Sequence, residues 1–356
     1  MTANFTLNVV LASILVCVMV YSFTVSVNQI RKDFNYRFYW FAAITWILFA
    51  IANLCVVVAL LFSSVEYLRF FGIFCFLTGF FGLMMVDTLK HEQVEPVKLA
   101  AYLVLLVLFI ISAFLIQNAA SFAPDIFGGE GITLNPVIGL LTVAGTGIVW
   151  VYITYCAYLV NKRAPAAIRR YSHMYFVGAF TCLTAIISLL SLSYVFNFIL
   201  LSAGISLMAY AYGHEPKLLF ILPFKAIRLT ILETEGGISL FTHTWNRHGD
   251  LADEDLFSGV LQGVNGILKE SLKRGDVTEI HMADAIIIAY RNPEYPIAFM
   301  LVATRPSRTL RDALKIFAER FLNEFHDRFA TLNDVSQFSG GENLVTECFP
   351  NVPVYD

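Results

Sequence analysis

Lys162-Arg163-Ala164-Pro165-Ala166-Ala167-Ile168-Arg169-Arg170 sets four positive charges between two long apolar segments. Its counterparts are Arg31, Lys32 and Arg37 after the first apolar segment, and Lys90 and Lys98 after the third. Ten Lys and Arg lie between Met1 and Gly213. Nine of them fall in alternate connections, and only Arg69 falls on the other side. Positive residues are held on the cytoplasmic face during insertion. The pattern therefore predicts seven membrane helices, an outside N-terminus, and a cytoplasmic location for the last 140 or so residues.

The composition agrees with a membrane chain. Of 356 residues, 58% are hydrophobic and 14% charged, and the mean hydropathy is +0.68. An ordinary soluble domain carries roughly 25% charged residues. Residues 1–213 hold ten basic and seven acidic side chains, a net of +3, whereas the remainder holds fourteen and twenty, a net of −6. Two domains in two solvents are expected. The boundaries read as 1–213 for the membrane domain, 214–226 for a juxtamembrane linker, 227–332 for the cytoplasmic domain and 333–356 for a C-terminal tail. The acidic soluble part argues against nucleic acid as a partner, since phosphates attract a basic face.

A span needs about 20 mainly apolar residues. The candidates are about 5–27, 38–62, 67–89, 98–117, 137–160, 174–192 and 194–212. The first lacks a basic leader and is expected to be retained. Tyr36, Tyr39, Trp40, Tyr67, Tyr210 and Tyr212 stand where an interfacial aromatic belt belongs. Gly72, Gly79, Gly82, Gly139, Gly145, Gly147, Ala203 and Gly204 would let helices approach closely. The longest outside connection, about Asn118 to Pro136, reads as a solvated loop, the other reading being a lid over a binding pocket, and Asn4-Phe5-Thr6 is a glycosylation sequon on the predicted outer side. Cys17, Cys55, Cys75, Cys156 and Cys182 fall inside apolar segments, so no outside disulfide is expected.

Ionisable groups at mid-membrane depth mark pumps, ion-coupled transporters and voltage sensors, and none is visible here. A retinal Schiff base is excluded because no lysine occurs between Lys162 and Lys217. The third segment ends Val86-Asp87-Thr88-Leu89-Lys90 and the seventh lacks an NPxxY motif, so the likeness to G-protein-coupled receptors stops at topology. The candidate intramembrane polar site is Asn53 with Asn197, which could bond each other, their surroundings or an apolar ligand in the bundle. Asp87, His91 and Glu92 form an inner-surface group that reads as a solvated loop cluster; the other reading is a metal site of a lipid-directed membrane enzyme. A transporter or channel would need a polar path and broken helices, and Pro136 and Pro165 stand only at segment ends.

After His214-Glu215-Pro216 the periodicity changes. Ile227, Leu229 and Ile231 alternate with Arg228 and Thr230 as in a half-buried strand. Glu235-Gly236-Gly237 turns the chain, and 238–245 alternates again. Asp253-Glu254-Asp255 opens a helix whose dipole the acids complement. That helix carries Leu256, Val260, Val264, Leu268 and Leu272 on one face. It also carries Gly259, Gly263 and Gly266 as a candidate interaction face. Strands at about 277–282, 285–291 and 296–304 precede an amphipathic helix from Ser307 to Ala330, with Leu310, Leu314, Phe317, Phe321, Phe325 and Phe329 on its apolar side. The order β-β-α-β-β-β-α predicts an α+β domain with a five-stranded antiparallel sheet. No GxxxxGK[ST] loop or nucleophile constellation occurs, and no cofactor or metal is expected.

Three stretches carry a resemblance: Leu229-Thr230-Ile231-Leu232 through Gly236-Gly237-Ile238-Ser239-Leu240-Phe241, then Leu256-Phe257-Ser258-Gly259, then Ile286-Ile287-Ile288-Ala289-Tyr290. With the strand order, these resemble the longin and roadblock families of profilin-like domains, in a form common in archaea. The closing Cys348-Phe349-Pro350 and Val352-Pro353 look like the tail of such modules. The resemblance implies a binding function without catalytic residues: dimerisation and a platform for small GTPases. The expected protein is a non-enzymatic, receptor-like or scaffolding membrane protein.

Overall fold

A computed structural model of the chain describes residues 3–32, 37–62, 64, 66–91, 95–116, 120–124, 130–188, 194–222, 224–233, 238–245, 278–282, 285–291, 295–326, 335–350 and 352–354. It divides into two compact units, Met1–Leu219 and Phe220–Asp356.

The first unit is helical: α1 (Ala3–Lys32), α2 (Arg37–Phe62), α3 (Glu66–His91), α4 (Pro96–Leu115), α5 (Pro136–Arg163), α6 (Arg169–Ser188) and α7 (Tyr194–His214). Six of these are long and apolar enough to cross a membrane, which makes this a multi-pass membrane unit. The exception is α6. Arg169, Arg170 and His173 fill its first turns, and residues 189–193, the end of the expected span, lie outside the described residues. The connection after α4 is not the plain loop expected. Ala120–Pro124 (β1) and Glu130–Leu134 (β2) pair antiparallel, so backbone groups find partners in each other.

Packing contacts join α1 to α2, α2 to α3, α3 to α5, α5 to α6, α6 to α7, and α7 back to α1. The result is a closed ring of six helices, with α4 laid across α3 and α5. Glycines permit this in two ways. A side-chain carbon at Gly178 of α6 would lie 2.7 Å from the Gly204 carbonyl oxygen of α7, and one at Gly204 would lie 2.7 Å from the Gly178 oxygen. The two backbones touch reciprocally, which is the close approach that small residues allow in lipid. Elsewhere the glycines are notches for rings. Phe109 fills the space at Gly72, Tyr102 that at Gly79, and Phe76 that at Gly145. The Phe76 and Phe109 rings then pack tilted by 31° with centroids 4.6 Å apart. Gly147 faces open space.

The belt expectation also needs correction. Trp40, Tyr67 and Tyr210 are exposed, but Tyr39 and Tyr212 are buried in the bundle. Position near a helix end fixes depth in a bilayer, not the direction in which a side chain points.

The second unit is built on β3 (Ala226–Glu233), β4 (Ser239–Thr244), β5 (Thr278–His281), β6 (Ile286–Arg291) and β7 (Ile297–Ala303). They form the expected antiparallel five-stranded sheet, in the order β4-β3-β7-β6-β5. All seven residues of β7 are buried, so both faces of the central strands are covered. Leu232, Ile287, Ala289, Ala298, Met300 and Val302 make the core of one face. Against the other lies α8 (Arg308–Phe325), capped by the Ser307 hydroxyl accepting from the Leu310 amide at 3.1 Å. Its apolar stripe includes Leu310, Leu314, Phe317, Phe321 and Phe325, as the spacing predicts; Phe329 lies outside the described residues.

The C-terminal stretch belongs to this core. A 3-10 turn, Val335–Phe338, leads into α9 (Gly341–Cys348), which packs on α8 and β4. Phe338 has no exposed surface and its ring lies 5.8 Å from that of Phe321 and 5.6 Å from that of Phe325. Phe349 meets Trp245 edge to face at 5.3 Å.

Two stability outcomes follow from this packing. Gly178→Leu is expected to destabilise the α6–α7 contact by about 1–3 kcal/mol through overpacking, whereas Gly147→Ala is expected to be neutral or stabilising, since alanine favours a helix by about 1 kcal/mol. Thermal melts of the detergent-solubilised protein measure both. Phe338→Ala is expected to cost the second unit about 3–5 kcal/mol, read as earlier unfolding in denaturant; an unchanged midpoint would remove the C-terminal stretch from the core.

Candidate functional site

Asn53 and Asn197 are both buried, but the structure gives them separate partners. The Asn53 side-chain amide donates to the Phe49 carbonyl one turn earlier at 2.9 Å and reaches the Met19 sulfur of α1 at 3.5 Å. The Asn197 amide donates across helices to the Ala185 carbonyl of α6 at 2.8 Å. Each therefore binds protein, and Asn197 ties α7 to α6. Thr154 of α5 does the same toward the Ala179 carbonyl of α6 at 3.2 Å.

A second polar seam joins α1 to α7. The Tyr212 hydroxyl donates to the Ser22 carbonyl at 3.1 Å and lies 3.1 Å from the Ser26 hydroxyl. The Gln29 amide donates to the Gly213 carbonyl at 3.1 Å. Sequence reading missed this seam because serines in an apolar helix look like spacing residues. Ser22 and Ser26 do stand four apart, the spacing of one helix face, and that was the available signal.

The densest polar cluster centres on Asp87, near the end of α3. It was expected to be solvated in an inner loop; its carboxylate has no exposed surface. One oxygen accepts from the Tyr152 hydroxyl of α5 at 3.0 Å and from the Lys98 ammonium of α4 at 3.3 Å. The other accepts from the Glu95 backbone amide at 3.0 Å. Lys98 in turn reaches the Glu95 carboxylate at 2.9 Å and the Tyr152 hydroxyl at 3.2 Å, and sits 4.8 Å from the centre of the Tyr152 ring. A buried carboxylate must be paired and hydrogen-bonded to remain charged, and these contacts supply both. The cluster joins α3, α4 and α5 at one end. Of the residues read with Asp87, the His91 side chain and Glu92 lie outside those described. No group of His, Cys, Asp and Glu suited to a metal occurs among the described residues.

In the second unit, His243 pairs with Glu342 of α9, Nδ1 to Oε1 at 2.8 Å, and packs edge to face on Trp245 at 4.7 Å. Arg311 of α8 holds Glu279 of β5 at 2.6 Å, and Arg320 holds Glu347 at 3.0 Å. The first two pairs bind helices to the sheet, and the third binds α8 to α9. Burial raises the thiol of Cys348 above its ordinary range, with Arg320 opposing and Glu347 adding to the rise. Gly259, Gly263 and Gly266, the candidate interaction face, lie outside the described residues, as does Asp253-Glu254-Asp255.

Removing one partner of a buried ion pair leaves the other unpaired, at about 3–5 kcal/mol. Lys98→Met, which leaves the buried Asp87 carboxylate without its cation, is therefore expected to lower the stability of the first unit by about that amount. Tyr152→Phe loses one hydrogen bond to a charge and is expected to cost about 1.5–3 kcal/mol. A double-mutant cycle between Asp87→Ala and Tyr152→Phe, followed by thermal unfolding in detergent, measures the coupling; additive effects would mean that the two groups do not work together.

No family model matches the chain, and neither the curated proteins nor the solved structures include a significant match to it.

Proposed function

We propose that this protein is a non-enzymatic, receptor-like or scaffolding membrane protein that crosses the bilayer seven times. Its N-terminus lies outside, and its second unit recruits a partner in the cytoplasm. The observation that carries the reading is the change of character at Leu219–Phe220. Before it stand helices with exposed apolar faces. After it stands a sheet with its own core, closed by an amphipathic helix. A binding module attached to a membrane bundle suits reception or anchoring. The nine sorted Lys and Arg support the orientation. Exposed Val177, Phe180 and Ile187 on α6, which packs between α5 and α7, support a seventh span.

The five antiparallel strands and the helix that follows them support the longin and roadblock resemblance, and with it a small GTPase as partner and self-association through the second unit. Function in this resemblance is a matter of surfaces and not of a reacting group.

Full-length protein in nanodiscs, exposed to small GTPases in each nucleotide state, is expected to retain at least one in a state-dependent way. Light scattering of the same sample is expected to report a dimer. Protease protection in oriented vesicles is expected to shield the N-terminus and expose residues 220–356. A monomer that holds no GTPase would overturn the recruitment reading, and a shielded second unit would overturn the orientation.

A further inference from the structure

Tyr158 of α5 and Phe176 of α6 meet edge to face with ring centroids 6.0 Å apart, and Phe176 continues to Phe180 at 6.3 Å. On α5, Val151, Tyr155, Tyr158 and Lys162 recur at the spacing of one helix face, and all four are exposed. On α6, Arg169, His173, Phe176 and Phe180 repeat the same spacing. The two stripes share the Tyr158–Phe176 contact. Together they form a surface strip with aromatic side chains at its centre and cations at one end.

That end is held in place. Ala166–Ile168 forms a single 3-10 turn with Pro165 and Ile168 buried. The Ser172 hydroxyl lies 3.2 Å from the Asn161 side-chain oxygen and 2.8 Å from the Arg169 carbonyl, which closes the end of α5 onto the start of α6. Lys162, Arg163, Arg169 and Arg170 are all exposed, and none forms an ion pair with an acid among the described residues. Two other cations of this unit are paired with acids: Lys98 with Asp87 and Glu95, and Arg69 with Glu66.

We propose that the α5–α6 surface strip binds an acidic phospholipid. The four cations take the phosphate, and the acyl chain lies along Tyr155, Tyr158, Phe176 and Phe180. Charge complementarity selects the headgroup, because cations near a membrane surface attract anionic lipid strongly. The aromatic stripe selects a lipid over a free anion, since inorganic phosphate has no use for it. It also selects a lipid over a soluble protein, which has no access to the hydrocarbon depth at which the stripe runs. The inference rests on α6 crossing the bilayer beside α5, and is independent of the cytoplasmic partner.

The test uses purified full-length protein reconstituted in nanodiscs of phosphatidylglycerol and phosphatidylcholine, with the lipids retained after detergent extraction counted by native mass spectrometry. Phosphatidylglycerol is expected to be retained preferentially, and excess inorganic phosphate is expected to leave it bound. Arg169→Gln with Arg170→Gln is expected to reduce the preference about fivefold for each cation removed. Phe180→Ala is expected to weaken retention of both lipids without changing the preference. Reconstitution from detergent makes the readout independent of the orientation that these arginines help to set in a cell. If the double variant does not fold, as judged by its melt without added lipid, Lys162→Gln and Arg163→Gln singly provide the same comparison. Equal retention of the two lipids, or a preference unchanged by losing the cations, would overturn the site. Displacement by inorganic phosphate would overturn the lipid assignment in favour of a soluble anion.

Discussion

A carboxylate shut inside an apolar bundle must carry its own solvation shell, and Asp87 shows what that requires. Its two oxygens take a tyrosine hydroxyl from α5, an ammonium from α4 and the backbone amide of Glu95 just before α4. Two of those donors are themselves engaged: Lys98 reaches Glu95 and Tyr152 as well. Satisfying one charge thus ties the end of α3 and the start of α4 to the body of α5. Because α4 packs mainly on α3 and α5, this cluster is the main polar reason for α4 to sit where it does. The glycine notches at Gly72 and Gly79, filled by Phe109 and Tyr102 of α4, supply the apolar reason.

The two units solve burial with opposite surfaces. In the first, large apolar side chains such as Val97 and Leu115 are 78% and 76% exposed, and the interior holds serines, asparagines and the Asp87 cluster. Helices in lipid gain little by hiding apolar surface from one another, so close packing and hydrogen bonds decide their arrangement. The Gly178–Gly204 backbone contact and the Tyr212–Ser22 bond are of this kind. In the second, Phe299, Phe317, Phe321, Phe325 and Phe338 gather with no or almost no exposed surface, and charged pairs sit at the rim. Water drives that collapse directly.

This difference also explains what could be read from the sequence. In the second unit, alternation and the 3.6-residue stripe carry the direction of each side chain, so strands near 285–291 and 296–304 and the apolar face of α8 were legible from Ile, Phe and Leu spacing. In the first, the lengths of α2, α3, α5 and α7 were legible because a span must match the bilayer, but the inward face was not. A helix that is apolar all round has no stripe to read. Tyr39 and Tyr212 were consequently taken for interfacial residues and are core. Asp87 was taken for a solvated charge, because its partners stand 11 and 65 residues away and nothing local marks them. Gly178 escaped notice for the same reason: its meaning depends on Gly204.

Lysine and arginine sorting treats all cations of one face as equal, and the structure separates them. Lys98 is consumed by the bundle, where Asp87, Glu95 and Tyr152 use its charge to hold helix ends together. Lys162, Arg163, Arg169 and Arg170 carry the same sorting signal but turn outward on a short, hydrogen-bonded connection. They flank the aromatic residues Tyr158 and Phe176. Among the described residues these four cations have no acid beside them, whereas Lys98 and Arg69 do, so an external anion would complete the charge balance of that surface.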